Sequence, residues 1–169
     1  MAEFLSIEVQ GLAQLQVALE RTVARIDEPA DLMDTLGAIL EAQIGGRFES
    51  KTDPIGGPWA PLADSTRVRY DAKDTSDRGE LKRRGSLLER TRDMLNSLTH
   101  HASANSVEVG MSRLSDDGRW AIPLLHETGT EKMPRRGIFL ADWEAGTLGT
   151  RDEQLLMDEI GSWLDDVLG

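Results

Sequence analysis

Ser50-Lys51-Thr52-Asp53-Pro54-Ile55-Gly56-Gly57-Pro58-Trp59-Ala60-Pro61-Leu62 places three prolines and two glycines within 13 residues. Proline lacks the amide hydrogen that a helix or central strand uses, and glycine loosens either one, so regular structure is excluded here. Trp59 and Leu62 are the residues expected to dip from this rigid, extended loop into a core. Helical patterns precede the loop; short strands and a last helix follow it. The predicted class is therefore α+β. An N-terminal helical hairpin and a C-terminal amphipathic helix pack on a small, mainly antiparallel β-sheet, with a long Pro/Gly-rich and charged loop between.

Upstream, Leu5, Ile7 and Val9 alternate with Ser6 and Glu8, the period of a half-buried strand. Leu12, Leu15, Leu19, Thr22/Val23 and Ile26 then recur at helical spacing, and Glu28-Pro29 ends that helix. Pro29 suits the first position of the next, because its missing donor is not needed there. Leu32, Leu36, Ile39, Leu40, Ile44 and Phe48 form the second stripe, with Phe48 as an anchor.

Downstream, Asp64-Ser65-Thr66 is expected to cap a short helix through Tyr70, and residues 71–86 read as a mobile charged surface loop. Residues 49–86 together form the extended, partly mobile region of a single domain spanning 1–169. Leu87 to Leu98 has helical spacing through Leu87, Leu88, Thr91, Met94 and Leu95. Leu98, His100 and Ala102 alternate, as do Val107, Val109 and Met111 beyond the turn residues Ser103 to Ser106, which predicts a hairpin. Asp116-Asp117-Gly118 is a further turn. Trp120 to His126 is apolar but contains Pro123, so it is an edge strand or a short irregular helix. Ile138-Phe139-Leu140 follows a loop with Gly129, Pro134 and Gly137. Thr150 and Glu153 read as a capping box for a last helix. Leu155, Leu156, Ile160, Trp163, Leu164, Val167 and Leu168 make its broad apolar face, and Asp152, Glu153, Asp158, Glu159, Asp165 and Asp166 its acidic one.

The 169 residues suit one domain on the usual scale of about 100–200. Cysteine is absent, which excludes disulfides, thiolate chemistry and Cys-ligated zinc, and suits a reducing compartment. No run approaches the roughly 20 apolar residues of a membrane span, and the first residues carry no secretory pattern, so a cytoplasmic origin is expected. Formal net charge is −11. Residues 1–45 carry 2 basic and 8 acidic groups, and 138–169 carry 1 and 8. Arg67 to Arg92 is locally basic, with Arg78, Lys82, Arg83 and Arg84 as candidate assembly-interface residues. Such acidity opposes sequence-specific DNA binding but suits a wall that DNA slides past without adhering.

Candidate chemistry is sparse. His100 and His101 are neighbours on a predicted strand, so their rings point apart and cannot share a metal. His126-Glu127 lacks a second histidine at helical spacing, which leaves His126 a structural anchor. Gly85-Ser86-Leu87-Leu88 lacks the second glycine of a nucleophile elbow, and Gly56-Gly57 is followed by Pro58-Trp59 instead of a phosphate-binding Lys-Ser/Thr. No catalytic, cofactor-binding or metal site is read, and no enzyme is expected. A small acidic regulatory or DNA-mimic module is the alternative reading of the charge.

Arg47-Phe48, Asp53-Pro54-x-Gly-Gly-Pro58-Trp59-Ala60-Pro61-Leu62 and Ser65-Thr66 come in this order, followed by Leu87-Leu88-x-x-Thr91, Leu95 and Ser97-Leu98. Val107-x-Val109-Gly110 comes next, then Ala121-Ile122 through His126 and Gly129, Met133-Pro134-x-Arg136, Phe139-Leu140 and a closing amphipathic helix. Over about residues 30–168 the chain resembles the phage virion morphogenesis family, the tail-completion and head–tail joining proteins of Mu-like tailed phages. Two places depart from the family pattern: Thr91-Arg92-Asp93-Met94-Leu95 replaces Thr-Gly-x-Leu, and Gly137-Ile138 intervene before Phe139-Leu140. The resemblance implies a non-enzymatic virion neck component that assembles in the host cytoplasm. It further implies a homo-oligomeric ring, six-fold by family analogy, around the DNA channel. Neighbouring neck or connector proteins and tail-terminator or tail-tube proteins would be its partners, with DNA passing through and no membrane involved. Phe48, Trp59, Leu62, His126, Phe139 and Trp163 are the candidate structural anchors.

Overall fold

A computed structural model of the chain describes residues 17, 20–24, 26, 29–72, 87–89 and 92–168. Its elements are α1 (Ala30–Ser50), α2 (Asp64–Ala72), α3 (Asp93–Asn96), β1 (Leu98–Ala102), β2 (Val107–Met111), α4 (Ile122–Thr128) and α5 (Thr150–Leu168). Helices beside a two-stranded antiparallel sheet make this an α+β protein. The predicted strand at Leu5–Val9 and most of the predicted 12–26 helix lie outside the described residues. Val17, Glu20–Ala24 and Ile26 are helical, but Val23 and Ile26 are exposed, not in a core stripe. Thr22 Oγ1 lies 3.5 Å from the Val167 carbonyl, so this segment reaches the end of α5.

α1 begins directly after Pro29, whose carbonyl accepts the Met33 amide at 2.9 Å. It ends where Lys51 turns left-handed (φ 58°) and donates its amide to Arg47 O. Leu32, Leu36, Ile44 and Phe48 are buried along one side. That side lies on the hairpin, in which Leu98 pairs with Met111, His100 with Val109 and Ala102 with Val107. The alternation read from sequence holds. Leu98, His100 and Ala102 are half-covered, while Thr99 and His101 face outward. Gly37 permits the approach: a Cβ there would sit 2.5 Å from His100 Cδ2 and 2.8 Å from Val107 Cγ2. His100 Nδ1 meets Glu41 at 2.6 Å and Nε2 meets Asp34 at 3.3 Å, tying β1 to α1.

The core consists of Ile44, Phe48, Trp59, Leu87, Met94 and Ile138. Leu62, Leu88, Leu95, Leu98, Val109, Met111, Ile122 and Phe139 pack around them. Three expectations need correction, the first, third and fourth below, and one open alternative is resolved. First, Leu87 to Leu98 is not one helix: Leu88 (φ 64°) and Arg92 (φ 60°) are left-handed, and only Asp93–Asn96 is helical. Buried Glu89, held by Lys51 and by Arg92 at 3.1 Å, pulls the segment out of helical geometry. Second, of the two readings of Trp120–His126 the short helix holds, over Ile122–Thr128 (α4), with Pro123 in the first turn where no donor is lost. Third, Thr150 lies inside α5 and not ahead of it as a cap, since the Glu153 amide bonds the Gly149 carbonyl at 3.0 Å. Fourth, Asp152 does not belong to the solvent-facing acidic side: it is buried against Arg47. Within the 49–86 region, α1 runs on to Ser50 and the expected short helix is present as α2.

Candidate functional site

The 51–62 loop is rigid through its own backbone. Asp53 Oδ1 accepts the amides of Ile55 at 3.0 Å and Gly57 at 2.7 Å, and the Asp53 amide bonds Gly57 O at 2.8 Å. Gly56 takes the left-handed conformation (φ 84°) that this turn requires. Trp59 then returns to the helix end, its amide donating to Lys51 O at 2.8 Å. Its indole packs edge-on against Phe48, ring centroids 5.3 Å apart at 80°.

The Trp59 indole and one arginine bind this loop to a distant segment, and two further charged groups lock that segment to the helices. The Trp59 indole N–H donates to Gly137 O at 2.9 Å, and Arg136 donates to Ala60 O at 2.8 Å and Pro61 O at 2.9 Å. One buried arginine thus closes two carbonyls that prolines and extended backbone leave without partners. Glu127, at the end of α4, accepts the amides of Ile138 (2.6 Å), Phe139 (2.8 Å) and Leu140 (3.2 Å), and the Arg135 guanidinium at 3.0 Å. Arg47 on α1 donates to Ile138 O and pairs with buried Asp152 on α5. Gly149 completes the junction, since a Cβ there would collide with the Pro54 carbonyl.

The pair Arg47–Asp152 forms the floor of an open groove of about 830 Å³ between α1, the 52–56 turn and the first turns of α5. Both members are engaged with each other, and Arg47 also with backbone. His126 sits beside this network with its Nδ1 enclosed and without a hydrogen-bond partner. Burial, reinforced by the nearby Arg136 charge, lowers its pKa to about 4. Burial likewise lowers Arg136 from the usual arginine value. His100 is shifted the other way, raised chiefly by its hydrogen bond to Glu41. Among the described residues no three His, Asp or Glu side chains converge as a metal-ligand set.

Phe48 is fully buried, Trp59 is buried, and Leu62 and Phe139 pack against the core. His126 and Trp163 are half-buried, and Trp163 lies outside the central cluster. Arg78, Lys82, Arg83 and Arg84 lie outside the described residues. Sequence reasoning did not single out Glu127, Arg135 and the Arg47–Asp152 pair as the groups that join the segments. A signal was present. Arg47 sits within the apolar stripe of α1 beside Ile44 and Phe48, and Asp152 four residues before Leu156 on α5. A charge on a buried stripe requires a partner.

These interlocked elements coincide with a known sequence pattern. The phage virion morphogenesis family matches residues 10–116, which is 107 of the 169 positions. The chain belongs to the phage virion morphogenesis family. No curated protein and no solved structure matches the chain. The matched stretch begins earlier than the resemblance over 30–168 and ends before Ala121. It contains Arg47, the Pro/Gly loop and the hairpin, whereas Arg136, which grips that loop, Asp152, which pairs with Arg47, and Glu127, which holds the 138–140 segment, lie beyond it. As a member of this family of structural phage proteins, the chain is a virion-associated morphogenesis protein. No described helix is long and apolar enough to cross a membrane.

Proposed function

We propose that this virion morphogenesis protein is a neck or tail-completion subunit that forms a ring joining head and tail around the DNA channel. Family membership carries the reading. Its buried ionic groups are occupied in holding backbone segments together, which favours a scaffold without turnover. A net charge of −11 would let DNA pass without sticking. Copies of the same chain are its first partners, six by analogy with other joining rings. Connector proteins on one side and tail-terminator or tail-tube proteins on the other complete the junction. Arg78, Lys82, Arg83 and Arg84 supply basic charge for acidic faces of neighbours. In this reading residues 1–169 act as one unit.

The test is a phage carrying a suppressible nonsense codon in this gene. In the non-suppressing host, electron microscopy should show filled heads and finished tails that remain separate, and purified protein should join them. Normal particles without the protein would overturn the proposal.

A further inference from the structure

Among the described residues β1 has a free edge. The Ser103 amide donates to Ser106 O at 2.8 Å, so residues 103 and 106 are a hydrogen-bonded pair of the hairpin. Such pairs alternate in an antiparallel ladder. In the observed register Thr99 and His101 therefore bond β2, while Leu98, His100 and Ala102 turn their amides and carbonyls away from it. No other described backbone meets these outward groups; Thr99 Oγ1 approaches His100 O at 3.4 Å. An unpaired strand edge of this kind is a template for one more strand. Beside it runs an open groove of about 430 Å³, walled by Ala38, Ala42 and Gly45 of α1 and by Leu95, Leu98 and His100. Glu41 also borders the groove, with its carboxylate held by His100. A Cβ built at Gly45 meets no atom within 4 Å, so the space over α1 is open there.

The hairpin dictates what fits the edge. Leu98, His100 and Ala102 are turned toward α1, and Thr99 and His101 face outward. An added strand must alternate in the same way, apolar over the groove and polar outside. Leu5-Ser6-Ile7-Glu8-Val9 has that alternation and, at five residues, the length of β1. Its direction follows from α1. Leu98 shares the groove with Gly45, and His100 reaches Asp34, so β1 runs from the later turns of α1 toward its start. The helical residues Val17, Glu20–Ala24 and Ile26 enter α1 through a short connection at Pro29, which sets them antiparallel to it. Their upstream end therefore points toward the Gly45 end of the groove. Seven residues separate Val9 from Val17, a tether short enough to hold the segment at high effective concentration. A strand that leads into that tether at the Gly45 end runs antiparallel to β1.

We propose that residues 5–9 of the same chain dock on the free edge of β1 as a third, antiparallel strand, with Ile7 opposite His100. Leu5, Ile7 and Val9 then cover the groove over α1, and Ser6 and Glu8 stand outside beside His101 and Thr99. The outward amides and carbonyls of β1 gain partners. The same contact closes this edge to pairing with another molecule. It does not depend on the ring reading.

Because the chain has no cysteine, introduced thiols are unique. Under mild oxidation the full-length Ser6→Cys/His101→Cys protein should close a disulfide within one chain, seen as a faster-migrating monomer on a non-reducing gel. These two positions would face each other as a non-hydrogen-bonded pair, the closer kind. In the wild-type chain the amides of Leu98, His100 and Ala102 should be protected from hydrogen exchange. Ile7→Pro, which removes a ladder donor, should speed their exchange roughly tenfold or more. Thr99 and His101, bonded to β2, should keep their protection in that variant and so report that the hairpin stays folded. Closure by Ser6→Cys/Thr99→Cys instead would mean a parallel strand, and by Ser6→Cys/Glu108→Cys the edge of β2; either would overturn the proposal. Covalent dimers in place of the monomeric disulfide would overturn it in favour of strand exchange between copies. Fast exchange of the three amides in the wild type, or no disulfide in a double variant of unchanged Tm, would overturn it outright.

Discussion

Both carboxylate oxygens of Glu127 are taken up by one loop, and removal of that acceptor leaves the amides of Ile138, Phe139 and Leu140 without it. Glu127→Gln keeps the shape but turns one acceptor into a donor, and should cost about 1–3 kcal/mol; Glu127→Ala should cost about 3–5 kcal/mol. Urea midpoints at a common slope would measure both. The histidines make stability depend on pH in opposite senses. His126 has a folded pKa of about 4 against an ordinary 6.5, so between those values the unfolded chain binds a proton that the folded chain does not. Its contribution is complete above 6.5 and is lost as pH falls through that window, by up to about 3 kcal/mol. His100 has a raised folded pKa, so its contribution is complete below 6.5 and fades as pH rises through the raised value. Melting temperature against pH should lose its acid limb in His126→Gln and its neutral-to-alkaline decline in His100→Gln.

At the scale of elements, close approach and paired charge set the geometry. Gly37→Ala would push a methyl into the His100 ring and Val107, and should destabilise by about 1–3 kcal/mol despite the better helix propensity of alanine. Asp152→Ala should cost about 3–5 kcal/mol, because Arg47 would remain buried without its counter-charge. Arg47→Met combined with Asp152→Leu should recover much of that loss, and a double-mutant cycle by thermal denaturation would show strong coupling. Trp163 anchors α5 less than a fully buried aromatic would. Trp163→Ala should cost about 2 kcal/mol, below the 3–5 typical of complete burial.

For the whole molecule, the family match and the folded body have different limits. Residues 10–116 carry the shared pattern, yet Arg47, Trp59, Ala60 and Pro61 find partners at 136–138 and 152. A chain ending at residue 116 would lose Ile138 from the core and expose an arginine built to be buried. Such a fragment should show no cooperative thermal transition by circular dichroism, while the full chain should melt in one step. A cooperative melt of the fragment would mean that the C-terminal third is an accessory to the fold.

Local periodicity was sufficient for α1, for the β1–β2 pairing and for α5, because burial of one face repeats at the spacing of each element. The absence of regular structure at 51–62 followed from proline and glycine alone, since their effect is on the backbone they occupy. The break at Leu87–Leu98 was not legible, because Glu89 is drawn inward by Lys51, 38 residues away. Nor was the loss of Asp152 from the acidic side of α5: its partner stands 105 residues earlier on another helix. The grip of Arg136 on the Pro/Gly loop spans 75 and 76 residues. Composition and order therefore settled α1, the β1–β2 hairpin, α5 and the irregular loop at 51–62. Only the tertiary structure decided which charges are buried, because a charge enters a core where a specific partner meets it, and spacing along the chain does not encode that meeting.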